Sequence, residues 1–409
     1  MTWAIALIGD FVDAGSVTIQ TGPFGTQLKA ADYVSEGTPV INVRNIGYGD
    51  LRPDKIEYVP ETTKERLSVH LLRPNDIVFG RKGAVDRHLF ITENHFAWMQ
   101  GSDCIRLRIE SDELNPRFVS YAFLRETHKK WMLTQSSNKA TMASLNQDII
   151  RRIPIPLPAR AIQDDIVKIL SAYDELIENN RRRIQLLEES ARLLYREWFV
   201  HLRFPGHEHV KLVDGVPEGW SYSTIGDVAE YVNRGIAPIY DDDGEFTVIN
   251  QKCIRNRLLT LALARTQTKE YKEEKAIKKY DVLINSTGTG TLGRVAQCWQ
   301  ELDKTSVDTH VTIVRPSKKI APLWFGYALL ELEKVFEDMG EGATNQKELK
   351  RARVSDLKIK VPSKGLMEEF DKVVDSVTLQ IINLNEQNHK LAEARDLLLP
   401  RLMNGDIAV

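Results

Sequence analysis

Several residue clusters in this sequence are of types that could do chemistry. Gly288-Thr-Gly290-Thr-Leu-Gly293 matches G-x-G-x-x-G and follows a predicted strand. Such glycines let backbone amides approach a pyrophosphate, provided that a helix begins directly after them. The adjoining stretch, Arg294-Val-Ala-Gln-Cys-Trp299, reads as another strand. A glycine-rich hairpin or loop is therefore expected here, with no bound cofactor. Flanked by Arg294, or by Arg81, Lys82 and Arg87 around Gly83 in the first half, such a loop could bring amides and guanidinium groups to a phosphate. His201, His207 and His209 lie close together with Glu208, but their spacing fits no common metal site, and they read as polar residues of a turn. The acidic pairs Asp164-Asp165 and Glu188-Glu189 read as solvated helix faces, and Asp241-Asp-Asp243 as a loop. There is no G-x-x-x-x-G-K-[ST], no Asn/Asp-Pro-Pro-aromatic tetrapeptide, no G-x-S-x-G and no H-E-x-x-H. These absences favour a recognition or scaffold protein over an enzyme.

Two blocks must position these loops. The chain has 409 residues, room for two domains of ordinary size, and 42% of it is hydrophobic, which excludes wholesale disorder. No apolar run approaches the roughly 18 residues that a membrane-spanning helix needs. The N-terminal stretch lacks a basic n-region and meets Asp10 early, so no signal peptide is expected. Three scattered cysteines, Cys104, Cys253 and Cys298, build no disulfide framework, and a reduced, cytoplasmic protein is expected. The formal charge is -2, so any nucleic-acid-binding face must be a local patch.

The sequence repeats itself with an offset near 204. Asp76-Ile-Val-Phe-Gly-Arg-Lys-Gly83 lines up with Asp281-Val-Leu-Ile-Asn-Ser-Thr-Gly288, and Pro39-Val-Ile-Asn42 with Thr247-Val-Ile-Asn250. Ala140-Thr141 lines up with Ala343-Thr344, and Ile153-Pro-Ile-Pro-Leu-Pro158 with Leu357-Lys-Ile-Lys-Val-Pro362. A repeat this long is a tandem domain duplication, not a solenoid. Short β-branched runs separated by Gly, Pro, Asn and Asp, with helical stretches near 116–130 and 322–336, make each block α+β.

Each block is followed by a helix. Ile166, Leu170, Tyr173, Ile177, Asn180, Ile184, Leu187, Ala191, Leu194 and Trp198 alternate in steps of four and three, the spacing of a coiled-coil seam. Phe370, Val374, Val377, Ile381, Leu384, Asn388, Leu391, Arg395, Leu398 and Leu402 repeat the rhythm. The strict heptad favours helices that pair with each other over helices docked only on their own blocks. Paired antiparallel with ends matched, Ile166 meets Leu402, Trp198 meets Phe370, Asn180 faces Asn388 and Tyr173 faces Arg395. A polar pair in an apolar seam costs stability but sets register, so Asn180 and Asn388 are the candidate register residues.

At these residues the sequence resembles the DNA-specificity subunit of type I restriction-modification systems. The resemblance is carried by Gly22-Pro-Phe-Gly-Thr-Gln-Leu28, Val248-Ile-Asn-Gln-Lys-Cys-Ile-Arg255, Trp198-Phe-Val-His-Leu-Arg-Phe-Pro-Gly-His-Glu208 and the ending Leu391-Ala-Glu-Ala-Arg-Asp-Leu-Leu-Leu-Pro-Arg-Leu402. It implies two tandem α/β target-recognition domains, residues 1–155 and 207–362. After each comes a long helix, in residues 156–206 and 363–409, and the two helices form an antiparallel coiled coil. It further implies that each domain reads one half of a bipartite, asymmetric double-stranded DNA target. The helices would dock two modification (methyltransferase) subunits, restriction (translocase/nuclease) subunits would join them, and the chain itself would be non-catalytic. The expected DNA-contacting residues are Arg44, Arg81, Lys82, Arg87 and Lys139 in the first block, and Lys252, Arg255, Arg294 and Lys347 in the second. The competing reading is a non-catalytic coiled-coil scaffold with two small-ligand-binding domains.

Overall fold

The computed structural model describes residues 3–53, 55–136, 143–213, 215–342, 347–407 and 409. It divides into two units, residues 1–178 with 388–409, and residues 179–387. Each unit thus owns one block and one end of each long helix.

In the first unit, strands β1 (Val17–Thr21), β2 (Tyr48–Gly49), β3 (Ile77–Gly80), β4 (His88–Phe90) and β5 (Cys104–Ile109) form one sheet in the order β1-β5-β3-β4-β2. A smaller sheet is centred on Thr38–Ile41, antiparallel to Glu57–Val59 and parallel to Met99–Gln100. Alternate residues of a strand face opposite sides. Ile77 and Phe79 join Ile105, Leu107, Val119 and Phe123 on one side, while Val78 joins Leu89, Ile41 and Ile46 on the other. Both faces are covered, which is why this strand is apolar at consecutive positions rather than at every second one.

The second unit repeats the plan. Strands β6 (Ala229–Arg234), β7 (Val282–Asn285), β8 (Val295–Gln297) and β9 (Val311–Pro316) run β6-β9-β7-β8, the order of β1-β5-β3-β4. Its smaller sheet is centred on Phe246–Ile249, antiparallel to Arg265–Gln267 and parallel to Thr305–Val307. An ion pair recurs at the same place. Arg108 Nε and Nη2 reach Asp76 Oδ1 and Oδ2 at 2.7 Å each, and Arg315 makes the same fork with Asp281 at 2.8 Å each. The forks tie the residue before β3 and β7 to the adjacent strand, at the base of each hairpin.

Four helices complete the frame: α1 (Pro116–Phe123), α2 (Arg160–Tyr195), α3 (Pro322–Leu330) and α4 (Lys364–Asn404). Proline opens α1 and α3, where its missing N–H costs nothing. Asn115 caps α1 by accepting from the Arg117 and Phe118 amides. Ala321 cannot cap α3. Instead the Asp371 carboxylate on α4 accepts from the Leu323 amide at 3.0 Å and the Trp324 amide at 2.7 Å, so the long helix supplies the cap. Helix α2 ends in a π turn, Arg196–Val200, that buries Trp198 and Phe199, and α4 continues through Pro400. Among the described residues, no helix is long and apolar enough to cross a membrane.

Within each unit the helix ends run antiparallel in the expected register. In the first unit Ile166, Leu170, Leu398 and Leu402 share one cluster. In the second, Ile184 and Leu187 cluster with Leu384 and Ile381, and the Trp198 and Phe370 rings lie 6.0 Å apart. Two expectations change. Pairing and docking are not alternatives, because the same seam residues pack on the blocks: Phe118 and Tyr121 of α1 join Ile166, and Tyr327 of α3 lies edge-on to Phe370 at 5.8 Å. And Arg395 bonds not across Tyr173 but to its neighbour Asp174, Nη1 to Oδ1 at 2.7 Å, because a carboxylate satisfies a half-buried guanidinium better than a ring face. Asn180 is buried in the second unit; Asn388 Oδ1, in the first, is buried without a hydrogen-bond partner.

Candidate nucleic-acid interface

The glycine motif is built as a hairpin loop. The Thr291 and Leu292 amides bond to the Gly288 carbonyl at 3.1 and 3.0 Å, and β8 comes next, pairing antiparallel with β7. Gly293 has φ 82°, and a Cβ there would lie 2.4 Å from the Glu337 amide nitrogen, so both conformation and space demand glycine. No helix opens at this loop, so it lacks the N-terminal amides of a dinucleotide site.

The equivalent loop in the first unit joins β3 to β4 and carries Arg81, Lys82 and Arg87. Two neighbouring segments pin each loop. One precedes the block's last short helix: Leu145 N donates to the Arg81 carbonyl at 2.7 Å, and Leu349 N to the Ser286 carbonyl at 2.8 Å. The other is a 3-10 turn after the smaller sheet's central strand, Val43–Asn45 or Gln251–Cys253. A Cβ on Gly80 would lie 3.2 Å from the Val43 side chain, and Gln251 Nε2 donates to the Thr287 carbonyl and hydroxyl at 2.9 and 2.6 Å.

The structure therefore brings Arg44, on its 3-10 turn, beside the loop of Arg81 and Lys82, and Lys252 beside the loop that ends at Arg294. Arg255 is exposed on the short strand after the Lys252 turn, and Lys347 is exposed just before the 348–349 segment. Lys139 lies outside the described residues, as do the Ala140-Thr141 and Ala343-Thr344 matches. Most of the placed cations are lightly engaged. Arg44 reaches Glu57 at 2.5 Å, Lys82 reaches Asp103 at 3.3 Å, and Arg294 Nη2 donates to the Gly290 carbonyl at 2.8 Å. Exposed pairs of this kind are worth only about 0–1 kcal/mol, so a phosphate can compete for them.

Aromatic partners were not legible in the sequence. Arg81 stacks over the exposed Phe24 ring at 4.7 Å, Arg87 and Lys129 lie over Tyr48 at 5.4 and 4.7 Å, and Arg265 lies over Tyr240 at 3.7 Å. Each ring orients a cation without neutralising it. His310 Nδ1 lies 2.8 Å from the Thr287 hydroxyl at the second loop, another polar group that spacing did not mark. His201, His207 and His209 sit in and before the 3-10 turn His207–His209 and are exposed. Among the described residues no cluster of three or more His, Cys, Asp or Glu could hold a metal ion, and the three cysteines are free and buried.

Two stretches, residues 3–189 and 217–392, match the family model described as "Type I restriction modification DNA specificity domain". The chain belongs to this family. The specificity domain thus occurs twice, once over each block and the helix after it. Among similar proteins, the type I restriction enzyme MjaIX specificity subunit of Methanocaldococcus jannaschii is 24% identical over 86% of this chain and 82% of its own length. The HindI specificity subunit of Haemophilus influenzae is 22% identical over 90% of this chain and 94% of its own. A crystal structure of the type I restriction-modification S subunit from M. genitalium shares the fold, with a TM-score of 0.58 at 17% identity, covering 98% of this chain and 96% of that one. A coiled-coil scaffold for two small ligands is not favoured by these matches.

Proposed function

We propose that this chain is the non-catalytic DNA-recognition subunit of a type I restriction-modification complex, each unit reading one half of a bipartite, asymmetric duplex target. The observation that carries this reading is the duplicated specificity domain, with a hairpin loop in each copy flanked by cations that surface carboxylates or carbonyls hold only lightly. Arg44, Arg81, Lys82, Arg87 and Lys139, with Lys252, Arg255, Arg294 and Lys347, are the proposed contacts. The two loops differ, Arg81-Lys82-Gly83 against Ser286-Thr287-Gly288, so the half-sites should differ. Base pairs are distinguishable in the major groove, where reading is expected.

The helices act as a ruler. About 32 residues at about 1.5 Å each span roughly 48 Å, against about 34–36 Å for one turn of DNA, so half-site centres should lie about one to one and a half turns apart. Asn180 and Asn388 set the register of that ruler. The partners are double-stranded DNA, two modification subunits that supply methyl transfer, and restriction subunits that supply translocation and cleavage. The cell compartment is the cytoplasm, where the DNA and those partners are.

The test is selection of bound duplexes from a randomised pool by the complex with its modification subunits, with anisotropy titrations across salt on the selected sequence. One bipartite sequence with a fixed gap, and a log–log salt slope of several units, is expected. Enrichment of no gapped sequence would overturn the reading.

A further inference from the structure

The two units share one plan, so a difference at equivalent places is informative. Where α1 of the first unit meets the long helices, Asp174 collects three partners. Tyr121 Oη donates to its Oδ2 at 2.6 Å, Arg117 Nη2 to the same oxygen at 2.7 Å, and Arg395 Nη1 to Oδ1 at 2.7 Å. A guanidinium carried by α4 thereby closes the junction from within the chain. The offset of the repeat, 204 in the long helices and 206 in α1 and α3, makes the second-unit counterparts Tyr327, Leu323, Thr378 and Ala191. The tyrosine is kept; the carboxylate and both guanidiniums are gone.

In the second unit a cavity of about 340 Å3 opens beside Tyr327, lined also by Glu188, Arg192, Arg257, Trp299 and Leu330. Glu188 stands on α2 one turn before Ala191, so a carboxylate has reappeared on the opposite helix from Asp174's counterpart. It is not the solvated residue that the Glu188-Glu189 pair suggested in the sequence: its Oε1 is buried with no hydrogen-bond partner, and so is the Thr378 hydroxyl. Burial pushes the Glu188 carboxyl up to about 7. The cations nearby are taken. Arg192 is held by Glu189 at 2.6 Å, Arg257 by Glu333 at 3.3 Å and Glu331 at 3.6 Å, and Arg196 by Glu331 at 3.5 Å. Glu188 is the carboxylate left over, and the Trp299 and Tyr327 rings offer apolar faces of the kind on which a planar cation rests.

We propose that this cavity binds a guanidinium group from outside the chain, in the role that Arg395 plays within the first unit. None of the nine proposed DNA contacts lines this cavity, so the inference does not depend on that reading.

Titration of the full chain with methylguanidinium chloride by calorimetry at pH 7 tests this, in two buffers of different ionisation enthalpy and against sodium chloride. Saturable heat with net proton release is expected, because a cation beside Glu188 lowers its proton affinity. E188Q should weaken binding at least tenfold and abolish the proton release. A191R, which places a guanidinium where the first unit carries one, should abolish binding and raise Tm; should A191R fold poorly, E188Q decides alone. Free arginine and a blocked Gly-Arg-Gly peptide separate the sources: binding of the peptide identifies an arginine of a partner protein, and binding of free arginine alone identifies a metabolite. No saturable heat, or heat unchanged by E188Q, overturns the proposal.

Discussion

Arg81 shows how one side chain can be both placed and available. Its backbone is bonded on both sides, and its guanidinium rests on the neutral Phe24 ring. R81A is expected to weaken binding to all duplexes and lower the salt slope by about one, read by anisotropy at several salt concentrations. A loss confined to one sequence would instead mark a base contact. The Asp281–Arg315 fork is structural: its side chains are 0% and 8% exposed. D281A leaves a buried guanidinium unpaired and should cost about 3–5 kcal/mol in urea melts. His88 and His128 give the fold a pH dependence. Burial holds each at about 3, well below the ordinary 6.5. Between those values the unfolded chain binds more protons, so stability is full above about 6.5 and falls as the pH drops toward 3, by up to about 1.4 kcal/mol per pH unit for each histidine. The H88L/H128L variant should show a flatter slope than the parent between pH 7 and 5.

At the scale of elements, the helix ends serve two surfaces at once. Phe370 touches the rings of Trp198 and Phe199 from α2's end and Tyr327 from α3, and its neighbour Asp371 caps α3. Each block is thus tied to the helices by core packing, not only by a linker. D371A removes the carboxylate that accepts from the first amides of α3, and should cost about 1 kcal/mol in a thermal melt. The asparagines work differently. Replacing Asn180 and Asn388 together with leucine should raise Tm, since two polar groups leave an apolar seam, while the spacing selected between half-sites broadens. Unchanged spacing would mean that the blocks themselves set the distance.

For the whole molecule, duplication means that function should be modular. Exchanging residues 207–362 for the matching block of a relative should change one half-site and leave the other, scored by sequence selection. The matching sheet orders of the two units support such an exchange, because a new block meets the same kind of helical frame.

How much of this was legible in the sequence depends on how local each signal is. Heptad spacing depends on residues three and four apart, so the seam and its register could be read directly, and Ile166 with Leu402 and Trp198 with Phe370 lie together as the antiparallel register required. The repeat was legible because Asp76 and Asp281 stand in matching runs, and the strand after Gly293 was legible from its β-branched and apolar residues. Their partners were not legible. Arg108, Arg315, Phe24 and Tyr48 meet their ion-pair or cation partners from far along the chain, and no periodicity links residues that only a sheet or loop brings together. Glu188 is the plainest case. Its heptad position puts it off the seam and so, on an isolated helix pair, in water; only the docking of α3 and the neighbouring loops on that face buries its carboxylate.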